Sequence, residues 1–155
     1  MIRWLKSLFQ IPEPAGPPEK IRGCAVSEPT AARDGVSVEG DSLRIESPAQ
    51  KSFHLFTVNE PGAEQCILQY RAQLRTENVR NGAYLEMWCA FPGMGDFFSK
   101  GLHQRLTGST GWTSCEIPFY LKKGQKPGSV RLGLAFEDPG TVWIKDIELF
   151  KTPLR

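Results

Sequence analysis

An all-β sandwich or barrel is the architecture this chain predicts, and two features carry the prediction. Its 155 residues include 15 Gly and 12 Pro, a density that implies many turns. From residue 21 onward, apolar and polar residues alternate in short runs bounded by Gly, Pro, Asn and Asp, with no long stretch of helical period. A chain of this length buries a core without disulfides or metals, and one domain is the default.

The first 20 residues, "MIRWLKSLFQIPEPAGPPEK", stand apart from this pattern. They hold neither an uninterrupted apolar region with a small-residue cleavage site nor a membrane span. Ile2, Leu5, Leu8 and Phe9 share one helical face away from Arg3 and Lys6, so a short amphipathic helix packed on the domain is expected. Shallow membrane-surface contact through residues 1–11 is the alternative. The prolines that follow make a stiff, extended linker. The folded domain is expected over residues 21–155.

Strands are expected at 21–26, 36–39, 42–47, 52–58, 66–76, 83–91, 103–107, 113–121, 129–137 and 141–150. Period-two sorting then assigns faces. Cys66, Leu68, Tyr70, Ala72 and Leu74 point one way, and Gln69, Arg71, Gln73 and Arg75 the other. Cys115, Ile117, Phe119 and Leu121 face inward, as do Val130, Leu132, Leu134 and Phe136, leaving Arg131, Gly133, Ala135 and Glu137 on the reverse. In "AYLEMWCAF" the inward set is Leu85, Met87, Cys89 and Phe91, which puts Tyr84, Glu86 and Trp88 outward. Sheets with one apolar face each close a core between them. Asn81-Gly82 tolerates positive φ and by itself suits a tight hairpin.

Composition excludes several function classes. A net charge of +2 with scattered Lys and Arg offers no basic stripe for a nucleic acid. Cys24, Cys66, Cys89 and Cys115 form no CxxC pair and have no neighbouring His, so zinc is not expected and buried free thiols are. His54 and His103 are the only histidines, and neither a Gly-x-Ser-x-Gly element nor a phosphate-cradling Gly motif accompanies them. No enzyme, cofactor or metal site is therefore expected. Glu86 and Glu137 formally offer the two carboxylates of a glycosidase, but carboxylates on a sheet surface are expected to be solvated. Without a recognisable secretion signal, the cytoplasm is the default location.

Two further stretches carry a family resemblance: "TGSTGWTSCEIPF", residues 107–119, and "GTVWIKDIELF", residues 140–150. With the preceding "PGAEQCILQYRAQL" they resemble the galactose-binding-like jelly roll of noncatalytic carbohydrate-binding modules, over about residues 50–150. Trp112 matches that family's Gly-Trp-Thr element, and Trp143 with Asp146 its final strand; both tryptophans are expected to build the fold. The resemblance implies one sheet of 42–47, 141–150, 66–76 and 113–121, and another of 52–58, 129–137, 83–91 and 103–107. Under that order the Asn81-Gly82 connection crosses between sheets instead of closing a hairpin. Related jelly rolls hold a calcium through an Asp near the last strand, but no carboxylate cluster accompanies Asp146, so no metal is assigned.

This layering sets the outward Tyr84, Glu86 and Trp88 beside Arg131 and Glu137, with His54 near if Phe53 and Leu55 face the core. A sugar presents an apolar C–H face and a rim of hydroxyls, so its site needs a flat aromatic and edge-placed donors and acceptors. The expected function is glycan binding on this face. The alternative is that Phe97 and Phe98 of "PGMGDFFSKG" cover Trp88, leaving a protein-interaction or assembly domain with a protein partner and no sugar ligand.

Overall fold

A computed structural model describes residues 13–155. The helix expected within residues 1–11 lies outside the described residues. The strands are β1 (Glu19–Cys24), β2 (Val36–Glu39), β3 (Ser42–Ser47), β4 (Lys51–Asn59), β5 (Cys66–Phe91), β6 (Gly95–Lys100), β7 (Leu106–Tyr120), β8 (Ser129–Phe136) and β9 (Gly140–Pro153), with one 3-10 turn at Leu102–Gln104. All pairings are antiparallel, and the strands form a two-layered jelly-roll sandwich.

One strand belongs to both layers. The first half of β5 lies between β9 and β7, and the second half between β8 and β6. The first layer continues from β9 to β3 and β2, with β1 alongside β9 farther along; the second continues from β8 to β4. β5 is 26 residues long and turns the corner where Asn78, Asn81 and Gly82 have φ of 52°, 55° and 116°. Its pairing with β7 slips in register across this stretch, as bulges and left-handed residues require. The positive-φ tolerance of Asn81-Gly82 thus bends a strand between layers, in agreement with the crossing that the jelly-roll order implies.

Residues 103–107 form no strand of their own: 103–105 belong to the 3-10 turn and its end, and Leu106 and Thr107 open β7. The fourth member of the second layer is β6, which closes a hairpin with β5 through Pro92, Gly93 and Met94. Gly93 and Gly95, at φ 76° and 105°, supply the left-handed backbone of that turn, and Met94 N–H donates to the Phe91 carbonyl at 2.9 Å. β6 escapes a hydrophobic-pattern reading because neither of its faces is buried. At the other end of the chain, Glu13 accepts from the Arg155 N–H at 3.1 Å and Ala15 N–H donates to the Pro153 carbonyl at 2.7 Å, so the proline-rich stretch is pinned to the C-terminus from residue 13.

The core follows the alternation. Cys66, Leu68, Tyr70, Ala72 and Leu74 of β5 are buried against Leu85, Met87, Cys89, Val130, Leu132, Leu134 and Phe136 of the second layer. The Tyr70 hydroxyl, buried with the rest, donates to the Gly133 carbonyl at 3.0 Å and so meets its one obligatory hydrogen bond across the sandwich. All four cysteines are free and buried. Burial pushes each thiol up, that of Cys89 to about 12, which leaves them inert as nucleophiles.

Candidate functional site

The outer face of the second layer is a grid whose rows follow from strand register. Ser52, Ala135 and Tyr84 make the first row. His54, Gly133, Glu86 and Lys100 make the second, and Thr57, Arg131, Trp88 and Phe98 the third; Asn59, Ser129, Ala90 and Asp96 make the fourth. Small residues occupy its middle, with Gly133 and Ala135 on β8. The floor is therefore low, and larger side chains stand around a depression of about 280 Å³ lined by Ser52, His54, Glu86, Trp88, Arg131 and Gly133.

Five of the six residues singled out from sequence, His54, Tyr84, Glu86, Trp88 and Arg131, stand in this grid, and Glu137 adjoins it through Tyr84. Pointing outward is not the same as being exposed, however. Tyr84 and Glu86 are both only 6% exposed. The Tyr84 hydroxyl donates to Glu137 Oε1 at 2.6 Å, while Gln50 Nε2 donates to Glu137 Oε2 at 3.1 Å. Burial and the Glu137 carboxylate raise the Tyr84 phenol well above its ordinary value. Tyr84 is thus a braced wall at one end of the face, its ring unavailable as a second open plate.

Glu86 is the hub of the other end. Its Oε1 accepts from the Trp88 indole N–H at 2.9 Å, its Oε2 from Ser52 Oγ at 3.3 Å, and the Lys100 ammonium lies 3.8 Å from Oε2. These partners occupy both oxygens of the buried carboxylate, which fixes the in-plane orientation of the Trp88 ring. Arg131 pairs with Asp96 at 3.0 Å and holds its guanidinium 5.7 Å from the centre of the Trp88 ring.

Phe98 completes the platform. It sits directly across from Trp88 on β6, with ring centroids 5.1 Å apart and planes tilted by 48°, and is 54% exposed. Phe97 turns to the other side and packs edge-on against Phe91 at 5.7 Å. The two phenylalanines therefore have separate places, Phe97, 47% exposed, against the Phe91 ring and Phe98 beside the indole. Sequence reasoning named Phe98 only as a cover for Trp88 and did not place it, Lys100 or Asp96 on this face. Their signal was present in "GDFFSK", where those three share a parity opposite to Phe97 and Ser99.

His54 is half-buried, with Nε2 2.7 Å from Thr57 Oγ1. Burial, and then the Arg131 charge, lower its pKa from 6.5, so at neutral pH the ring is uncharged and able both to donate and to accept. Because the folded state binds this proton less tightly than the unfolded state, stability should fall as pH drops below about 6.5. Replacing His54 by Gln is expected to flatten that acid limb in denaturation midpoints measured between about pH 7 and 5; an unchanged limb would refute the assignment.

No family model matches this sequence, and no curated protein matches it significantly. Solved structures do. The CBM22-1 xylan-binding domain of Paenibacillus barcinonensis Xyn10C superposes with a TM-score of 0.60 at 11% identity, over 90% of this chain and 98% of that one. A CBM4 structure gives a TM-score of 0.54 at 10% identity over 81% of each chain. A family 16 carbohydrate-binding module gives 0.51 at 11% identity, over 82% of this chain and 89% of that one. At such identities the likeness is one of fold: this chain has the jelly-roll β-sandwich of carbohydrate-binding modules.

Proposed function

We propose that this domain is a noncatalytic glycan-binding module, and that the outer face of the second layer is its binding surface. The observation that carries the reading is the Trp88–Phe98 pair beside a small-floored depression edged by Glu86, His54 and Arg131. A pyranose C–H face stacks on the indole and phenyl rings. Its hydroxyls meet a neutral imidazole and a guanidinium, which between them donate and accept, while the buried Glu86 holds the indole in place. Tyr84 and Glu137 act indirectly, bracing the far wall. Similarity of fold to a xylan-binding domain supports the same class of ligand.

Titration calorimetry against soluble xylan, mannan and mixed-linkage glucan tests this. Binding to at least one is expected, and Trp88→Ala should weaken it at least about tenfold, or about 1.4 kcal/mol. Failure to bind any glycan, or affinity indifferent to Trp88→Ala, refutes the proposal. Capture of a protein partner through Trp88 and Phe98, with no competition from sugars, would assign the face to protein interaction instead.

A further inference from the structure

The two tryptophans of the family-like motifs, Trp112 and Trp143, meet on the opposite side of the molecule, on the outer face of the first layer. There β7, β5, β9 and β3 each contribute one residue to a row: Trp112, Arg75, Trp143 and Arg44. The Arg75 guanidinium carbon lies 4.0 Å from the centre of the Trp143 ring and 5.5 Å from that of Trp112. Lys145 Nζ stands 4.2 Å from the Trp112 ring centre. Trp143 is buried, and its indole N–H is taken by Glu39. Trp112 remains 38% exposed.

The cations of this face differ in one respect. Arg44 pairs with Glu46 at 3.2 Å, Lys145 with Asp41 at 3.8 Å and Arg71 with Glu116. Arg75 has no carboxylate partner among the described residues, and its Nε is buried with no hydrogen-bond partner. Charges taken out of water are ordinarily paired. Here a half-buried guanidinium lies between two indoles, and its two Nη groups are the ones placed to meet a planar, bidentate anion.

Next to it along the same strands, beyond Arg75 itself, is a depression of about 270 Å³ lined by Gln73, Gln104 and Ser114 together with the paired Arg71 and Glu116 and the acids Asp146 and Glu148. Gln73 lies two residues from Arg75 and Ser114 two from Trp112, so both share the face of that row. Amide and hydroxyl groups suit a ring of hydroxyls. The acidic rim, which includes Asp146 and Glu148, repels a densely charged polymer such as a nucleic acid or sulfated chain.

We infer that this face is a second ligand site, binding a sugar that carries one carboxylate, a uronic acid, with its carboxylate on Arg75 and its hydroxyls on Gln73 and Ser114. The site does not use Trp88. Calorimetry of the intact chain with neutral oligosaccharides that bear a single galacturonate or glucuronate residue, and with the same oligosaccharides after carboxyl reduction, tests the assignment. The acidic sugars should bind, and carboxyl reduction or Arg75→Gln should each weaken binding at least about tenfold. Trp88→Ala should leave this binding unchanged, which separates it from the neutral-glycan face. Should Arg75→Gln lower the melting temperature, Arg75→Lys keeps the charge and loses the fork, and a several-fold loss is then expected. No binding, equal affinity for the reduced sugars, or indifference to both Arg75 variants overturns the proposal. Equal competition by polyglutamate also overturns it, in favour of an acidic protein.

Discussion

Phe53→Ala is expected to lower unfolding free energy by about 3–5 kcal/mol, the range for emptying a buried aromatic site. Phe53 is 1% exposed and lies edge-on to Phe136 at 5.5 Å, joining β4 to β8 beneath the candidate glycan face. Neighbours on a sheet are held by ladder hydrogen bonds and collapse poorly into a void, so most of the cavity should persist. Against a usual total of about 5–15 kcal/mol, such a loss removes between about a fifth and all of the stability. Urea denaturation should report it as a lower midpoint with an unchanged slope. A loss under about 1 kcal/mol would mean that Phe53 is not packed as described.

Gly133→Val is expected to have the second largest effect, and it acts on stability and binding together. A Cβ at residue 133 would lie 2.4 Å from the Phe53 carbonyl oxygen, and backbone cannot move aside as a side-chain tip does. Overpacking of this kind costs about 1–3 kcal/mol, and valine, branched at Cβ, should sit at the upper end. The same residue is the floor between His54 and Glu86, so the branched side chain would also fill the depression under Trp88. The expected result is a destabilised but foldable domain with glycan affinity reduced at least about tenfold. Gly111→Ala is the control, since nothing lies within 4 Å of a Cβ there. If Gly133→Val binds glycan normally, the ligand does not lie along β8.

The two outcomes bear on each other. Phe53 supports the sheet from beneath, while Gly133 leaves room above it, so a variant that weakens binding only in proportion to unfolding speaks to the scaffold. One that weakens binding in the fully folded protein speaks to the face itself.

Period-two alternation in β5, β7 and β8 told inside from outside residue by residue, because a core residue and its neighbour on a strand have no choice but to face opposite ways. It misjudged Tyr84 and Glu86, which face outward yet are buried. Their cover comes from Glu137, Ser52 and Lys100, partners 53, 34 and 14 positions away, and alternation along one strand contains nothing about neighbours on others. β6 was missed for the complementary reason: with neither face buried, it has no apolar period to read.

Sequence alone determined the all-β class, the inward set of side chains and the unpaired cysteines, consequences of local periodicity and composition, while the layering came from the family resemblance and held except at 103–107, whose place β6 takes. Tertiary structure decided which outward residues stay open, that Phe98 stands beside Trp88 while Phe97 packs on Phe91, and that Arg75 lies between two indoles with no acid among the described residues. These depend on register between strands distant in the chain, and register is fixed by the whole sheet acting together.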